Sequence, residues 1–500
     1  MSRVVDQPIA GEPLAGEEHV LRRDFKFVSS FAFAFAFISP IVALYGIFGL
    51  ALSTAGPSFW WGFLIVFAGQ LLVALVFAML VSRWPIEGSI YQWSSRLFGP
   101  AFGWFAGWAY IWTLVIAMAT VALGAAGFIA NIVGIESPSG TDRAWIAFVV
   151  LLLGTAVNLA GHTVLKVFMM ASIIAEVIGS IGLGLWLIIF HRVNDFSVLF
   201  EGGAGAGGEI DYLAISGPFL VALAFIGFSF VGFESAGSIA EEVKEPRTNL
   251  PKAILFSISF IAVIVMFTSL AIILAIPDLD AVRNGEVGDP VYETLTTQLG
   301  AGIAVPLEIL FVIGFLASFL ALQTSASRLI WAAARDGALP AARVLAKLSR
   351  KQRQPVAALL VTTVIGTILF LLSNVATDIY TLMVNFTAGG FYLSFLFPLL
   401  GFVIVLAQKK WRPGVFSLGR ATAPVAVVAL IWATLQLINI AWPRAVYEQV
   451  YLDWSIIIGT AVIGIVGVAV YFSVRHAIPN VVGVDYRMHD EPLVPETQRR

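Results

Sequence analysis

The fold is decided by residues 227–237, which read Gly-Phe-Ser-Phe-Val-Gly-Phe-Glu-Ser-Ala-Gly, three glycines around one carboxylate inside an apolar segment. Glycine tolerates backbone angles that end a helix, and a charge inside such a segment needs polar surroundings. A second apolar segment, near residues 25–54, carries Ser39 and Pro40 at its middle. Proline removes one backbone donor and disfavours helical geometry at the residue before it. We therefore predict two interrupted helices, with a simple kink at Pro40 and close helix packing at the glycines as the alternatives.

The composition of the whole chain is that of an integral membrane protein. Hydrophobic residues form 59% and charged residues 12% of the 500, against about 45–50% and about 25% in soluble globular proteins. A spanning helix needs about 20 mostly apolar residues, and unpaired strand edges cannot face lipid. We predict an all-α polytopic membrane protein of twelve transmembrane helices, near residues 25–54, 59–82, 100–131, 143–160, 164–190, 217–241, 252–276, 303–333, 356–373, 376–406, 421–441 and 450–474.

The same composition excludes several kinds of site. The chain has no cysteine, and its five histidines lie in tails or at segment ends, so thiolate metal sites and intramembrane haem lack ligands. No long basic block suits nucleic acid, and the chain has no phosphate-binding Gly-x-x-x-x-Gly-Lys-Ser/Thr loop. The first 24 residues lack the pattern of a signal peptide. We expect neither a metal nor an organic cofactor.

The distribution of Lys and Arg predicts the orientation in the membrane. With the N-terminus inside, only four of the 29 lie in exterior loops, namely Arg143, Arg192, Arg283 and Arg444. We predict a multi-pass protein of the plasma membrane with both termini cytoplasmic.

Two short amphipathic segments indicate an internal repeat. Residues 87–99 and 289–300 both place Tyr and Gly at the same separation, five helices apart and on opposite membrane faces. An odd number of helices between them inverts one half relative to the other, and chance similarity is the alternative. The predicted organisation is a cytoplasmic tail at 1–24, a first repeat of helices 1–5 at 25–190, an exterior loop at 191–216, a second repeat of helices 6–10 at 217–406, two further helices at 407–474 and a cytoplasmic tail at 475–500.

Paired interruptions in two such halves are typical of a transporter site. A broken helix leaves free amides at the start of one half and free carbonyls at the end of the other. The amides attract a carboxylate, and the carbonyls attract an ammonium group or a cation. This chemistry suits a small zwitterion or an amine.

Three groups of motifs resemble the amino acid–polyamine–organocation transporter superfamily. Its sixth-helix signature is similar to Gly-Phe-Glu-Ser at 232–235 with Ala-Glu-Glu-Val-Lys-Glu-Pro-Arg at 240–247. The end of its eighth helix is similar to Ser-Arg at 327–328 with Ala-Arg-Asp-Gly-Ala-Leu-Pro at 334–340, and the segment before its third helix to Pro-Ile-Glu-Gly-Ser-Ile-Tyr-Gln-Trp at 85–93. The stretches Ile-Ser-Pro at 38–40 and Tyr-Gln-Trp at 91–93 look closest to the branch of GABA, amino acid and choline permeases. The resemblance implies a LeuT-like 5+5 inverted repeat with discontinuous helices 1 and 6, plus two extra helices.

The chain departs from this family at the first-helix break. Amino acid carriers of the superfamily usually have a Gly-Ser-Gly type stretch there, whose amides hold the carboxylate of the solute. This chain has Ser39 and Pro40 instead, its next glycine is Gly46, and Pro40 donates no amide. The departure weakens the expectation of an α-amino acid and leaves room for GABA-like solutes or amines without a carboxylate.

Polar residues inside the predicted helices are candidates for ion coupling, because a charge near the bilayer centre is costly and usually faces a cavity. Glu234 follows the break of helix six, where the resemblance implies a proton-sensing or gating role. Glu176 lies thirteen residues into helix five, where it would suit a proton, sodium or a cationic solute. Ser318 matches a serine that lines the cation pocket in the family. Structural acids, and a serine bonded to its own helix, are the alternatives.

The predicted solute pocket surrounds the two breaks. Phe228 matches an aromatic residue that caps the solute in the family, and an aromatic face stabilises an ammonium group by about 0.5–2 kcal/mol. The full set of substrate-binding candidates is Ile38, Ser39, Pro40, Ile41, Trp112, Thr113, Phe228, Ser229, Gly232, Leu322 and Asn385. The charged residues at 241–247 form either a solvated cytoplasmic face or an inner gate.

The predicted function is secondary active transport of a small amino acid or amine such as GABA, by alternating access and coupled to protons. A carrier of choline, ethanolamine or polyamines, an amino acid exchanger and a sodium-coupled carrier are the alternatives. A channel is less favoured because no short filter repeats around an axis, and an enzyme because the chain has no thiol and no mid-membrane histidine. The expected partners are the small nitrogenous solute and the lipid bilayer, and the sequence leaves the oligomeric state open.

Overall fold

The computed structural model describes residues 25–135, 138–202, 211–350, 353–373, 379–444 and 450–483. The predicted tail at 1–24, and residues 484–500 of the predicted C-terminal tail, lie outside these ranges. Within them the chain folds into helices joined by loops, and one isolated bridge joins Phe25 to Val243. The predicted all-α fold is confirmed.

The first half of the described chain begins with a helix in three pieces, α1 (Phe27–Ile38), α2 (Pro40–Tyr45) and α3 (Phe48–Ala55). The helices that follow are α4 (Trp60–Arg83), α5 (Ser89–Phe98), α6 (Pro100–Ile132), α7 (Gly140–Ala160), α8 (His162–Glu176) and α9 (Leu183–Phe190). A π-helical segment, Val177–Gly182, joins α8 to α9.

The second half begins with α10 (Pro218–Ile226), which gives way to two 3-10 segments, Gly227–Phe230 and Phe233–Glu242. The helices that follow are α11 (Pro246–Ala275), α12 (Leu279–Arg283), α13 (Pro290–Leu299), α14 (Ala301–Arg335), α15 (Ala342–Leu345), α16 (Val356–Ser373), α17 (Ile379–Ala407), α18 (Thr422–Ala441), α19 (Val450–Asp453) and α20 (Ser455–Val474).

Eleven helical segments in the described ranges are long and apolar enough to cross a membrane. Each overlaps a span predicted from the sequence. The ninth predicted span, near 356–373, corresponds to a shorter apolar helix, Val356–Leu372. The two segments of the predicted repeat form α5 and α13, each ten residues long, and the inverted repeat itself stays a prediction.

The two interrupted helices lie at the centre of the bundle. In the span Phe27–Ala55, 94% of the most apolar stretch is buried, against 6% in Ser455–Val474. α1 packs on α11, α14 and the segment Phe233–Glu242, while α2 packs on Gly227–Phe230. The first part of each broken helix therefore lies against the second part of the other. This arrangement covers the irregular backbone with protein, which is the condition under which it survives in a membrane.

Candidate functional site

The first break lies at Ser39, between α1 and α2. Ser39 has φ 49° and ψ 114°, outside the helical region, while its N–H still donates to the Phe35 oxygen at 2.8 Å. α2 starts with Pro40, whose ring fits the first position of a helix but removes the donor that α1 needs in order to continue. The chain therefore leaves the helix for one residue and then re-enters it, at the position that the sequence predicts.

Glu176 of α8 accepts hydrogen bonds from two polar groups at this break. Its Oε2 accepts a hydrogen bond from the Ile41 N–H at 2.9 Å, and its Oε1 accepts one from the Ser39 hydroxyl. The side chain is fully buried. A negative charge at this position interacts favourably with the amide end of α2. A carboxylate from helix five thus occupies the place where a guest carboxylate was expected.

A widened helical turn follows Glu176. The π-helical segment Val177–Gly182 starts at the next residue, and the Tyr45 hydroxyl donates to the Gly179 oxygen at 2.8 Å. Turns of this kind are frequent at functional sites. α2 is therefore fastened to helix five at two points, through Ile41 and through Tyr45.

The second break lies at Val231 and Gly232. Val231 is extended, with φ −108° and ψ 158°, and Gly232 is left-handed with φ 97°. A Cβ on Gly232 would lie 2.4 Å from ring atoms of Phe37. A larger residue therefore fits neither the backbone angle nor the available space. Helix six is interrupted where its glycines predict it.

Glu234 lies two residues after this break and is fully buried. Its Oε1 accepts a hydrogen bond from the Tyr110 hydroxyl of α6 at 2.6 Å. Its Oε2 has no hydrogen-bond partner among the residues that the structure describes. A buried oxygen of this kind is costly unless a ligand, water or proton satisfies it. Glu234 therefore presents an open acceptor beside the second break.

Two serines tie the breaks together and to α14. The Ser229 hydroxyl donates to the Ala43 oxygen at 2.5 Å, which joins the sixth helix to α2. The Ser318 hydroxyl of α14 donates to the Phe37 oxygen at 2.8 Å, which satisfies a carbonyl at the end of α1. Of the predicted residues, the structure thus joins Ser39, Ile41 and Glu176 by hydrogen bonds at the first break, and Ser229 and Ser318 bond backbone oxygens on either side of it.

Three other predicted residues, Ile38, Phe228 and Leu322, are buried on the helices that contain or contact the breaks. Ile38 ends α1, and its Cγ1 would be 3.6 Å from a Cβ on Gly232. Phe228 is buried in the segment Gly227–Phe230, and Leu322 is buried on α14, one turn beyond Ser318.

Three predicted pocket residues contact other parts of the bundle. Trp112 packs edge-on against Trp108, whose indole donates to the Ile463 oxygen of α20. The Thr113 hydroxyl donates to the Ala109 oxygen of its own helix and lies 3.4 Å from that of Ser394. Asn385 lines a cavity of about 300 Å³ between α3, α10 and α17, with Leu50, Thr54, Phe225, Arg444 and other residues. None of these contacts includes a residue of the break at Val231 and Gly232.

A group of charged residues, Glu87, Glu241, Glu242, Arg328 and Arg335, lies where the three family-like motifs meet, and we call it the signature cluster. Arg328 pairs with Glu242 at 2.5 Å with both side chains buried, and Arg335 pairs with half-buried Glu241 at 2.9 Å. Beside it, the Gln92 amide and the Tyr91 hydroxyl donate to Asp336 at 2.8 and 3.0 Å. The cluster corrects the expectation of a solvated face for Glu242, which is buried, whereas Lys244 and Glu245 are exposed.

Glu87 is the uncompensated acid of the signature cluster. Its side chain is fully buried, and neither of its oxygens has a hydrogen-bond partner in the described chain. Burial raises the pKa of Glu87 well above its ordinary value, and repulsion from Glu242 and Glu241 raises it further, against the attraction of Arg328 and Arg335. The folded protein therefore favours the neutral form of this side chain.

Sequence reasoning missed Tyr110 and the role of Arg328. Tyr110 is one of 11 tyrosines, and no local pattern separates it from the others. Arg328 was part of a motif, but its pairing with Glu242 depends on two segments that are distant in the chain. Over the described ranges, no group of three or more His, Asp or Glu residues is placed to hold a metal ion.

Comparison with known proteins places this chain in a family. The family model for "Amino acid permease" matches residues 25–474. The chain is 26% identical to the amino-acid permease BAT1 homolog of Oryza sativa subsp. japonica, over 83% of this chain and 84% of the rice protein. It is 24% identical to the thiamine transporter thi9 of Schizosaccharomyces pombe, over 85% and 78%. It is 29% identical to the branched-chain amino acid permease BcaP of Lactococcus lactis subsp. cremoris, over 58% and 64%.

The family match extends from α1 to the end of α20 and includes both breaks and the signature cluster. It confirms the resemblance noted in the sequence motifs, and with the eleven candidate spans it describes an integral multi-pass membrane permease. The chain belongs to the amino acid permease family of the amino acid–polyamine–organocation superfamily.

Proposed function

We propose that the chain is a secondary active transporter that moves a small amino acid or amine, such as GABA, across the plasma membrane by alternating access, coupled to protons. Relatives named as an amino-acid permease and a branched-chain amino acid permease support a small nitrogenous solute. The predicted orientation, with both termini in the cytoplasm, completes the proposal.

One observation supports proton coupling most strongly: the carboxylates at both breaks lack a cationic partner. Glu176 is bonded to a hydroxyl and an amide, and Glu234 to a phenol. Neither takes part in an ion pair within the described part of the protein. A carboxylate buried in a membrane is costly unless it binds a proton or a cation. Both residues are therefore suited to carry a proton or to meet a cationic group.

The test is accumulation of labelled GABA and L-leucine in proteoliposomes under an inward proton gradient. Glu234→Gln and Glu176→Gln should each reduce gradient-driven accumulation at least tenfold, because glutamine has the same shape and cannot titrate. Glu308→Gln is the matched control, since Glu308 is also a buried acid of a span but bonds Asn131 at 3.0 Å instead of a break. Full accumulation in both test variants would reject proton coupling through these residues, and accumulation driven by a sodium gradient alone would replace protons with sodium.

The second candidate function is transport of a carboxylate-free cation such as choline, ethanolamine or a polyamine. It is favoured by the carboxylate of Glu176 at the amide end of α2 and by the relative named as a thiamine transporter. Thermal unfolding of the purified chain with GABA, L-leucine, choline, ethanolamine and spermidine separates the two candidates. A ligand at 100 times its Kd stabilises the folded state by about 2.7 kcal/mol, so the solute class that raises the melting temperature identifies the function.

A further inference from the structure

The first turn of α2 has no amide left for a guest. Pro40 has no N–H, and the Ile41 N–H donates to Glu176. The Val42 N–H donates to the Ser39 hydroxyl oxygen at 3.2 Å, and the Ala43 N–H to the Ser39 carbonyl oxygen at 2.8 Å. A solute carboxylate can therefore reach this helix end only if a protein group first gives up one of these bonds.

Glu176 is the protein group whose hydrogen bond to this helix end can be replaced by one from a solute. When ionised, it is an anion at a helix amide end, the same chemistry as the carboxylate of an amino acid. The other two amides are bonded within their own turn, whereas Glu176 belongs to another helix and reaches across from α8. It also stands at the junction of α8 with the π-helical segment Val177–Gly182, which is irregular backbone beside the break.

Building on the proposed function, we propose that Glu176 is an internal competitor for the carboxylate of the solute. In the empty transporter, Glu176 holds the amide end of α2. When a zwitterion binds, the Ile41 N–H leaves the Glu176 oxygen and donates to an oxygen of the solute, and Glu176 takes one proton from water. The negative charge of the solute carboxylate replaces that of Glu176, which is neutralised by the proton. Each zwitterion is therefore transported with one proton.

The groups around Glu176 allow this exchange. The titratable side chain that faces it is Tyr45, held by its bond to the Gly179 oxygen. Charged residues of α8 and of the elements packed against it have contacts elsewhere: Lys166 lies over the Phe25 ring, Arg328 pairs with Glu242, Arg335 pairs with Glu241, Glu308 accepts from Asn131, Asp142 accepts from Ser139 and Arg143 interacts with Asp289. Without the Ile41 N–H as a donor, Glu176 is stabilised by binding a proton.

The first test counts protons. Titration calorimetry of the purified full chain, in two buffers of different ionisation enthalpy, measures proton uptake when L-leucine or GABA binds. The matched probes are isoamylamine and propylamine, the amines that remain when the carboxylate is removed. At a pH where Glu176 is ionised in the empty protein, we expect uptake of about one proton with each zwitterion and no uptake with the amines. The Kd of the zwitterions should rise about tenfold for each pH unit in that range. Zwitterion binding without proton uptake in that range overturns the proposal.

Two variants separate competition from a structural role. In Glu176→Gln, zwitterion binding should take up no proton and should be independent of pH. Ser39→Ala keeps the acid but removes one of its donors, so the zwitterions should bind about tenfold more tightly at high pH. Glu308→Gln should retain the proton uptake of the unmodified protein. Proton uptake that persists in Glu176→Gln, or weaker binding in Ser39→Ala, contradicts the proposal.

A third test needs no transported solute. Glu176→Ala vacates the Ile41 N–H, so formate should bind there and raise the melting temperature of this variant while leaving the unmodified protein and Glu308→Ala unchanged. Equal effects of formate on all three proteins overturn the proposal, as does the absence of any effect on folded Glu176→Ala. If none of the four solute probes binds, the proposed solute class fails while the formate result still decides the role of Glu176.

Discussion

Glu234 and Glu242 lie on the same short segment of helix six, and both are fully buried. Their partners differ in charge. Glu242 pairs with the Arg328 guanidinium at 2.5 Å, whereas Glu234 accepts a hydrogen bond from the neutral Tyr110 hydroxyl at 2.6 Å. An arginine compensates a buried carboxylate permanently, whereas a phenol stabilises it only in part.

This difference in partners separates acids that are held in a permanent ion pair from acids that can bind or release a proton. In the signature cluster, the acids Glu241 and Glu242 pair with arginines of α14. These two ion pairs join the end of helix six to helix eight. At the breaks, Glu176 and Glu234 have only neutral donors. We therefore expect substitutions in the cluster to change stability most, and conservative substitutions of the acids at the breaks to change coupling with little loss of stability.

The largest effect is expected from Arg328→Met. This change leaves Glu242 buried without its arginine, which should lower the free energy of unfolding by about 3–5 kcal/mol. Denaturation by SDS in mixed micelles provides the measurement. Arg335→Met is the control, because its pair with Glu241 is partly exposed, and about 1 kcal/mol is expected there.

A double variant sharpens this result. Arg328→Met combined with Glu242→Met should recover most of the lost stability, because no unpaired charge then remains in the buried site. If the double variant is as unstable as the sum of the two single ones, the pair is not coupled and the contrast with Glu234 fails.

The next effect concerns the second break itself. Gly232→Ala places a Cβ at a positive φ and against Phe37, which should cost about 2–4 kcal/mol of stability and abolish transport. Gly302→Ala, in the exposed first turn of α14 with open space around it, should be neutral or slightly stabilising. Adding Phe37→Ala should relieve the clash but not the backbone strain. A fully stable Gly232→Ala variant would show that this break is not fixed by its glycine.

A smaller change in stability is expected when the tyrosine hydroxyls at the two breaks, Tyr110 and Tyr45, are removed. Tyr110→Phe removes a donor to the carboxylate of Glu234 and should cost about 1.5–3 kcal/mol, if that acid is ionised in the folded protein. Tyr45→Phe removes a donor to the neutral Gly179 carbonyl and should cost about 0.5–1.5 kcal/mol. If SDS titration shows the same loss of stability in both variants, Glu234 is neutral at the pH of the measurement. Repeating the titration at higher pH would then test this conclusion.

The smallest effect is the pH dependence of the signature cluster. The folded protein binds the proton of Glu87 more tightly than the unfolded chain does, because burial raises the pKa of this side chain. The free energy of unfolding should therefore fall as the pH rises from the ordinary value of a glutamate towards the raised one, by at most about 1.4 kcal/mol per pH unit. Glu87→Gln should remove this fall, whereas exposed Glu286→Gln should keep it. An unchanged slope in Glu87→Gln would assign the pH dependence to another group.

Both breaks could be predicted because their causes are local. Pro40 removes a donor whatever its surroundings, and Gly232 can adopt a left-handed angle without the steric cost that a side chain would bring. The site around them was predicted less completely. Ser318 and Glu176 stand out in the sequence as polar residues inside apolar helices. No local pattern distinguishes Trp112 or Asn385 in the same way, and their described contacts do not include the second break. Tyr110 was missed because a single tyrosine in a helix gives no sign of which acid it will meet.

The sequence by itself determined a helical membrane protein with two interrupted spans, since apolar length, proline and glycine act over a few residues at a time. Only the tertiary structure decided what each buried acid bonds. Glu176 reaches the Ile41 amide across 135 positions of the chain, and Arg328 reaches Glu242 across 86. Such pairings depend on how long helices cross in space, and in a low-dielectric interior they decide whether a carboxylate is held fixed or is free to take a proton.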